Sequence, residues 1–334
     1  MIGTRAIGGL RVGELGLGTA ALGNLYAPVA DAEAGALLDA ALRAGIDLFD
    51  TAPFYGFGLS ERRVGDGLRG HGAILSTKVG RLLLPAPDAD TGGLRDGFVS
   101  PMPFRAAFDY TGDGVLRSYE ASLQRLGRAR IDLLLVHDIG ALTHGAQAAR
   151  RMAELIDGGG LAALMRLRDE GMVGAIGLGV NEVDACLEVM AHAALDVVLI
   201  AGRYTLLEQG ALATLFPACR AAGTAVVVGG PFNSGILAAA PGEDGRYDYG
   251  DAPPGVAARV AALHAVCRRH DVTLPAAALA FVLAHPQVAS VIPGARSAGE
   301  LTANVAAYRA AIPSALWRDM IDAGLILPGA PVPA

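Results

Sequence analysis

The sequence predicts an α/β fold, and within that class a closed (β/α)8 barrel of the TIM type. Three observations carry the prediction. Eight short apolar runs recur from one end of the chain to the other, helical patterns alternate with them, and the first run lacks the glycine spacing of an open dinucleotide-binding sheet. Strands alternating with helices build a parallel sheet, and eight such units favour closing it into a barrel.

The runs are GELGLGTA (13–20), IDLFD (46–50), AILSTKV (73–79), IDLLLVHD (131–138), GAIGLGVN (174–181), DVVLIAG (196–202), TAVVVGG (224–230) and VASVIPG (288–294). They are apolar without alternation, as strands buried on both faces are. Between them, Ala34, Leu37, Leu38, Ala41 and Leu42 recur at helical spacing in 31–45, with Gly45 as a stop. Segments 59–69, 113–127, 161–170, 182–194, 208–222 and 255–270 read the same way. A Rossmann sheet would open its first helix with G-x-G-x-x-G, whereas the first run offers Gly16, Gly18 and Gly23. No composition shift divides residues 1–334, so one domain is expected. Two connections, 81–112 and 231–254, exceed ordinary βα loops and read as pocket walls or lids at the C-terminal rim.

Composition narrows the function. A formal charge of −6 with no basic block argues against a nucleic-acid partner. Cys186, Cys219 and Cys267 are far apart and unpaired in sequence, as reduced cytoplasmic thiols are. No signal-peptide pattern and no bilayer-length apolar run occurs, so a soluble cytoplasmic protein with no membrane partner is expected.

The polar residues that close the runs hold the chemistry. They are Asp50, Lys78, His137 and Asn181, and Tyr55 follows Asp50 in a Pro/Gly-rich loop. In a barrel these ends share the rim where active sites lie. Each also has a plain explanation: a turn acid for Asp50, a packed aromatic for Tyr55, a core histidine for His137, a helix N-cap for Asn181. Lys78 resists one, because a buried ammonium needs a carboxylate, and Asp50 lies one strand away. Beside that lysine, a phenol is expected to ionise more easily than its ordinary value of about 10, and so to move a proton on and off a C–O oxygen. Such a site has no nucleophile and no metal cluster, and needs a hydride partner such as a nicotinamide. A metal-dependent hydrolase would need more histidine and aspartate ligands at adjacent strand ends than His137–Asp138 supplies.

These residues resemble the aldo-keto reductase family along nearly the whole chain. GIDLFDTAPFYGFGLSERRVGDGL resembles its acid-and-tyrosine signature, STKVG its lysine strand, GRARIDLLLVHD its histidine strand, and VIPGARSAGELTAN its adenosine-binding segment. The resemblance implies an N-terminal hairpin in TRAIGGLRVGELGLG. It implies Tyr55 as general acid/base, Lys78 and Asp50 as its tuning pair, and His137 as the group orienting substrate. It further implies cofactor contacts from Gly18, Thr19, Asn181, the loop Phe232–Asn233–Ser234–Gly235, and Gly294, Arg296, Glu300 and Asn304.

The sequence departs from the family at Val180, Ala201 and Gly229, which stand for a serine, a glutamine and the aromatic under the nicotinamide; Phe232 or Tyr204 could replace that aromatic. The family's NADP-binding lysine and arginine read Gly294 and Glu300. A carboxylate there repels a 2′-phosphate and accepts a ribose hydroxyl, so NAD is favoured over NADP, with Arg296 the remaining phosphate partner. Further segments, among them TKVGRLL, AGRYTLL and FNSGIL, resemble the aldose 1-dehydrogenase subgroup (L-fucose or D-threo-aldose), which also includes pyridoxal 4-dehydrogenase. That implies oxidation of a sugar at C1 to a lactone, although Ile139 and Gly140 replace an acidic pair of the subgroup. The alternatives are pyridoxal oxidation, general NADPH-dependent carbonyl reduction, and a non-catalytic nucleotide-binding subunit. Tyr110, Tyr247 and Tyr249 on the long loops, with Phe54 and Phe57, are expected to shape the substrate pocket.

Overall fold

Eight parallel strands form the barrel wall among the residues described by this computed structural model, which are 1–240, 243 and 245–333. The expected 231–254 loop and 1–334 domain therefore include positions 241, 242, 244 and 334, which lie outside the described residues. Ahead of the wall, β1 (Thr4–Ile7) and β2 (Leu10–Gly13) make the expected antiparallel hairpin. The wall strands are β3 (Leu17–Gly18), β4 (Leu48–Asp50), β5 (Ile74–Val79), β10 (Ile131–His137), β11 (Val173–Val180), β12 (Val197–Ala201), β13 (Ala225–Gly229) and β16 (Val288–Ile292). Each lies within or overlaps its apolar run. They are hydrogen-bonded in chain order from β3 to β16, and parallel bridges Leu15–Val291 and Gly18–Gly294 close the ring.

Side chains on the two faces of the wall enter different cores. Leu48, Leu133, Leu135, Val197, Leu199 and Val227 fill the barrel interior together with Ile7 and Val12, so the hairpin closes its N-terminal end. The outer faces pack against helices such as α1 (Asp31–Ala44), which buries Ala34, Leu37, Leu38 and Ala41 and stops at Gly45 with φ +88°.

Two helices differ from expectation. Segment 208–222 splits into a 3₁₀ turn at Gly210–Ala213 and a helix at Leu215–Ala222, because Pro217 fits only the first turn of a helix. Segment 182–194 is helical only over Val183–Met190.

The long connections contain strands of their own. In 81–112, β6 (Arg81–Pro85) pairs with β9 (Phe104–Phe108), and β7 (Leu94–Arg95) with β8 (Phe98–Val99), all antiparallel. In 231–254, β14 (Arg246–Tyr247) pairs with β15 (Gly250–Asp251). The two-residue turn between them has φ +45° at Asp248 and +68° at Tyr249, the left-handed geometry that suits a tight hairpin. The three cysteines are buried and unbonded. Among the described residues no helix is long and apolar enough to cross a membrane.

Candidate active site

Adjacent strands β4, β5 and β10 bring Asp50, Lys78 and His137 to one rim. The Lys78 Nζ donates to Asp50 Oδ2 (2.7 Å), to the Thr51 carbonyl (2.8 Å) and to the Tyr55 hydroxyl (3.3 Å). These three acceptors match the three protons of an ammonium, which is how a lysine 2% exposed remains charged. The other Asp50 oxygen accepts from Ser76 Oγ at 2.7 Å.

Tyr55 reaches this pair because its loop turns back through Gly56 at φ +65°. Gly23 lies directly under the loop; a β-carbon there would stand 2.5 Å from the Tyr55 carbonyl carbon. The His137 ring meets the Tyr55 ring edge-on, 5.9 Å between centroids.

Burial and neighbouring charges together set the protonation states of the cluster. Burial would lower the Lys78 pKa, but Asp50, and Tyr55 after it, outweigh it and hold the ammonium above its ordinary value. Burial, then Arg81 and Lys78, push His137 well below the usual imidazole range, so the ring is neutral. The expectation for Tyr55 needs correcting. Its phenol lies above its ordinary value, because burial raises it more than Lys78 lowers it, and Asp50 and Asp138 add to the rise. Without a further positive charge beside it, Tyr55 is a proton donor at neutral pH.

The other expected residues divide by position. Asn181 is half-buried at the end of β11; the helix after it is flanked by Glu182, so Asn181 is not its N-cap. Its backbone carbonyl accepts from Arg203 Nε at 2.8 Å. Thr19 is fully buried, with amide and hydroxyl both on the Asp50 carbonyl, so it braces Asp50 from beneath. Gly18 lies beside Gly294, whose carbonyl accepts from Asn304 Nδ2 at 3.1 Å. Phe232 is 8% exposed, and Asn233, Ser234 and Gly235 have φ of +46°, +60° and +108°. Asn233 is held by Thr205 Oγ1 and the Gly202 carbonyl, and Ser234 Oγ accepts from the Tyr249 amide. Arg296 Nε and Nη2 both donate to Glu300 Oε1, at 3.1 and 3.0 Å.

Three expected pocket or stacking residues lie elsewhere. Tyr204 is fully buried among Phe216, Phe281 and His285 and cannot face a nicotinamide. Tyr110 is fully buried behind His137, whose carbonyl accepts from its hydroxyl at 2.8 Å. Phe57 is 1% exposed, under the Arg95 guanidinium at 4.0 Å. Each is drawn inward by aromatic area that loop solvent would leave unpaired.

Sequence reasoning missed three residues of the mouth. Arg81 is 6% exposed and lies over the Phe54 ring at 4.1 Å, donating to Asp138. Asp138 Oδ2 stands 3.4 Å from His137 Nε2. Tyr26 has φ +64° and lies under the guanidinium of Arg246 at 4.5 Å, which ties the β14–β15 hairpin across the mouth. An arginine three positions past "TK" was the available signal for the first.

One sector of the rim is lined by small residues. Ala201 and Gly229 are paired in register, and Gly202 and Gly230 follow them, so these four positions contribute no side chain larger than a methyl. This sector adjoins Asn181 and the positive-φ turn at Asn233–Gly235.

A (β/α)8 barrel with a phenol, an ammonium, a carboxylate and a neutral imidazole at one rim defines a class: nicotinamide-dependent oxidoreductases. Residues 14–322 match the model of the aldo/keto reductase family. The chain belongs to that family and is an NAD(P)-dependent oxidoreductase. It is 44% identical to pyridoxal 4-dehydrogenase of Microbacterium luteolum, over 96% of this chain and 97% of that one. It is 42% identical to D-threo-aldose 1-dehydrogenase of a Pseudomonas species, with the same coverage. The holo form of an aldo-keto reductase from Bacillus halodurans superposes with a TM-score of 0.74 at 27% identity, over 98% of this chain and 97% of that one.

Proposed function

We propose that the protein oxidises the C1 hemiacetal hydroxyl of an aldose to the lactone, with NAD as the favoured coenzyme. The observation that carries the reading is the Lys78 ammonium donating at once to Asp50 and Tyr55, with neutral His137 edge-on to the same phenol. Gly18, Asn181, Phe232, Ser234, Gly235 and Gly294 would hold the dinucleotide, with Thr19 and Asn304 bracing them. A bound oxidised nicotinamide supplies the hydride acceptor, and its positive charge favours the ionised form of a neighbouring phenol.

In that state the ionised Tyr55 oxygen, held by the Lys78 ammonium, accepts the O1–H proton while the C1–H bond gives up its electron pair to the hydride acceptor. C1=O forms, and the proton reaches solvent from Tyr55. Asp50 keeps Lys78 charged throughout. Neutral His137 donates through Nε2 to a lone pair of O1 and so turns the O1–H towards the phenol oxygen. Arg296, already paired with Glu300, offers a 2′-phosphate little free cation, and the carboxylate suits a ribose diol; this supports NAD.

Pyridoxal is a second reading, favoured by the 44% identical relative and by Phe54 and Phe98, whose rings meet at 5.4 Å beside Tyr55. The test is reduction of NAD and NADP with L-fucose, D-arabinose, L-galactose and pyridoxal, for wild type and Tyr55→Phe. The reading expects NAD-linked oxidation of an aldose that falls about 10²–10⁴-fold in the variant. Turnover of pyridoxal alone, or of none, sinks it.

A further inference from the structure

We propose that Asp138 and Arg81 form a second polar subsite in the mouth, which takes the hydroxyl on the carbon next to the reacting one. The inference rests on the aldose reading above and gives it a specificity determinant.

Asp138 directly follows His137 and has φ +44°. A non-glycine residue in that region stores about 1–3 kcal/mol of strain, kept only where the surroundings enforce it. Here the left-handed turn swings the carboxylate back towards the mouth. Oδ2 stands 3.4 Å from His137 Nε2 and accepts from Arg81 Nη2. The guanidinium in turn is fixed between the Phe54 and Phe108 rings, at 4.1 and 5.3 Å.

A pair that served only to neutralise buried charge would saturate itself in two parallel bonds. This one makes a single hydrogen bond. Among the described residues Asp138 Oδ1 accepts no hydrogen bond and the buried Arg81 Nε has no partner, and the Asp138 side chain is 20% accessible. A partly accessible carboxylate with an unused acceptor, its other oxygen fixed by the buried guanidinium, matches a hydroxyl that donates to it.

Spacing selects which hydroxyl. His137 Nε2 is the group placed to hold the reacting oxygen, and the carboxylate begins 3.4 Å from it. The two oxygens of a vicinal diol lie roughly one hydrogen-bond length apart, ~2.9 Å. An aldose that sets O1 on His137 and Tyr55 therefore brings O2 to Asp138. A substrate without that hydroxyl leaves the carboxylate facing apolar carbon, the kind of mismatch that polar sites reject strongly.

Asp138→Asn is the suitable variant, since asparagine also tolerates left-handed backbone and keeps the side-chain shape. The experiment compares kcat/KM for L-fucose with 2-deoxy-L-fucose, and for D-arabinose with 2-deoxy-D-ribose, in wild type and variant. Wild type should prefer the 2-hydroxy sugar by about 100-fold or more, and the variant by under about fivefold. An equal fall on both sugars would mean that Asp138 acts through His137, and overturns the subsite. So does unchanged preference in the variant. Wild type oxidising both sugars alike overturns it with no variant needed. Wild type oxidising no aldose sinks the aldose reading itself, a result separate from all of these.

Discussion

The aliphatic chain of Lys78 crosses the face of Gly179, two strands away. A β-carbon at 179 would stand 2.9 Å from Lys78 Cε and 3.2 Å from Cδ. Gly179 is paired in register with His137, so this small residue keeps a channel open in the rim through which the ammonium reaches Tyr55. Gly179→Ala should therefore displace Nζ before it disturbs the fold. The expected result is a fall in kcat of about tenfold or more, with ~1–3 kcal/mol of overpacking in urea unfolding. An alanine variant that keeps full kcat would show that the lysine position is not set here.

The Tyr110 hydroxyl donates to the His137 carbonyl at 2.8 Å and lies 2.9 Å from His144 Nε2. Tyr110→Phe keeps the ring and strips the donor from a buried carbonyl. The expected cost is about 1–3 kcal/mol in urea unfolding, with a smaller loss of kcat as His137 shifts on its strand end. Unchanged stability would mean that water replaces the phenol.

Barrel and cluster were legible for a physical reason. Strands buried on both faces read as apolar runs, so Asp50, Lys78 and His137 stood out as polar residues in the wrong solvent. The helix at Leu274–Ala284 was hidden by the same logic: it is apolar on nearly every side, and without a polar face there is no 3.6-residue period to see. Asp138 was hidden because its role depends on one positive φ, and Arg81 because a cation on a long loop reads as solvated. Tyr110 and Phe57 were misplaced because a loop's aromatic residues give no sign of which way they fold.

Coenzyme preference can be tested at one ion pair. Arg296 makes two side-chain bonds to Glu300, and its amide adds a third at 2.9 Å. Glu300→Gln removes the negative charge and releases the guanidinium for a 2′-phosphate. Fluorescence titration should show NADPH binding tightened about tenfold relative to NADH, and the gain should shrink as salt rises, since the pair is exposed. No change in the ratio of the two affinities would place coenzyme selection elsewhere.

Acid stability offers a test away from the mouth. His285 follows the Leu274–Ala284 helix, its ring 4.0 Å from the Phe216 ring, and its Nδ1 accepts from the Gln287 amide at 3.1 Å. Burial, then Arg220 and Arg5, lower its pKa from 6.5 to about 4. The unfolded chain binds this proton as pH falls through 6.5, whereas the folded chain refuses it until about 4. Its contribution is thus complete above 6.5, is lost progressively between 6.5 and 4, and changes no further below that. Protonation would also put a hydrogen on the nitrogen that accepts from Gln287, so the two effects act together. His285→Gln cannot take up the proton in either state. Urea unfolding of both proteins at pH 7, 5.5 and 4.5 should show wild type losing stability faster than the variant, with the gap opening only below the histidine range. Parallel curves would mean that the folded ring protonates as easily as the unfolded one, and that the aromatic cage around it admits water.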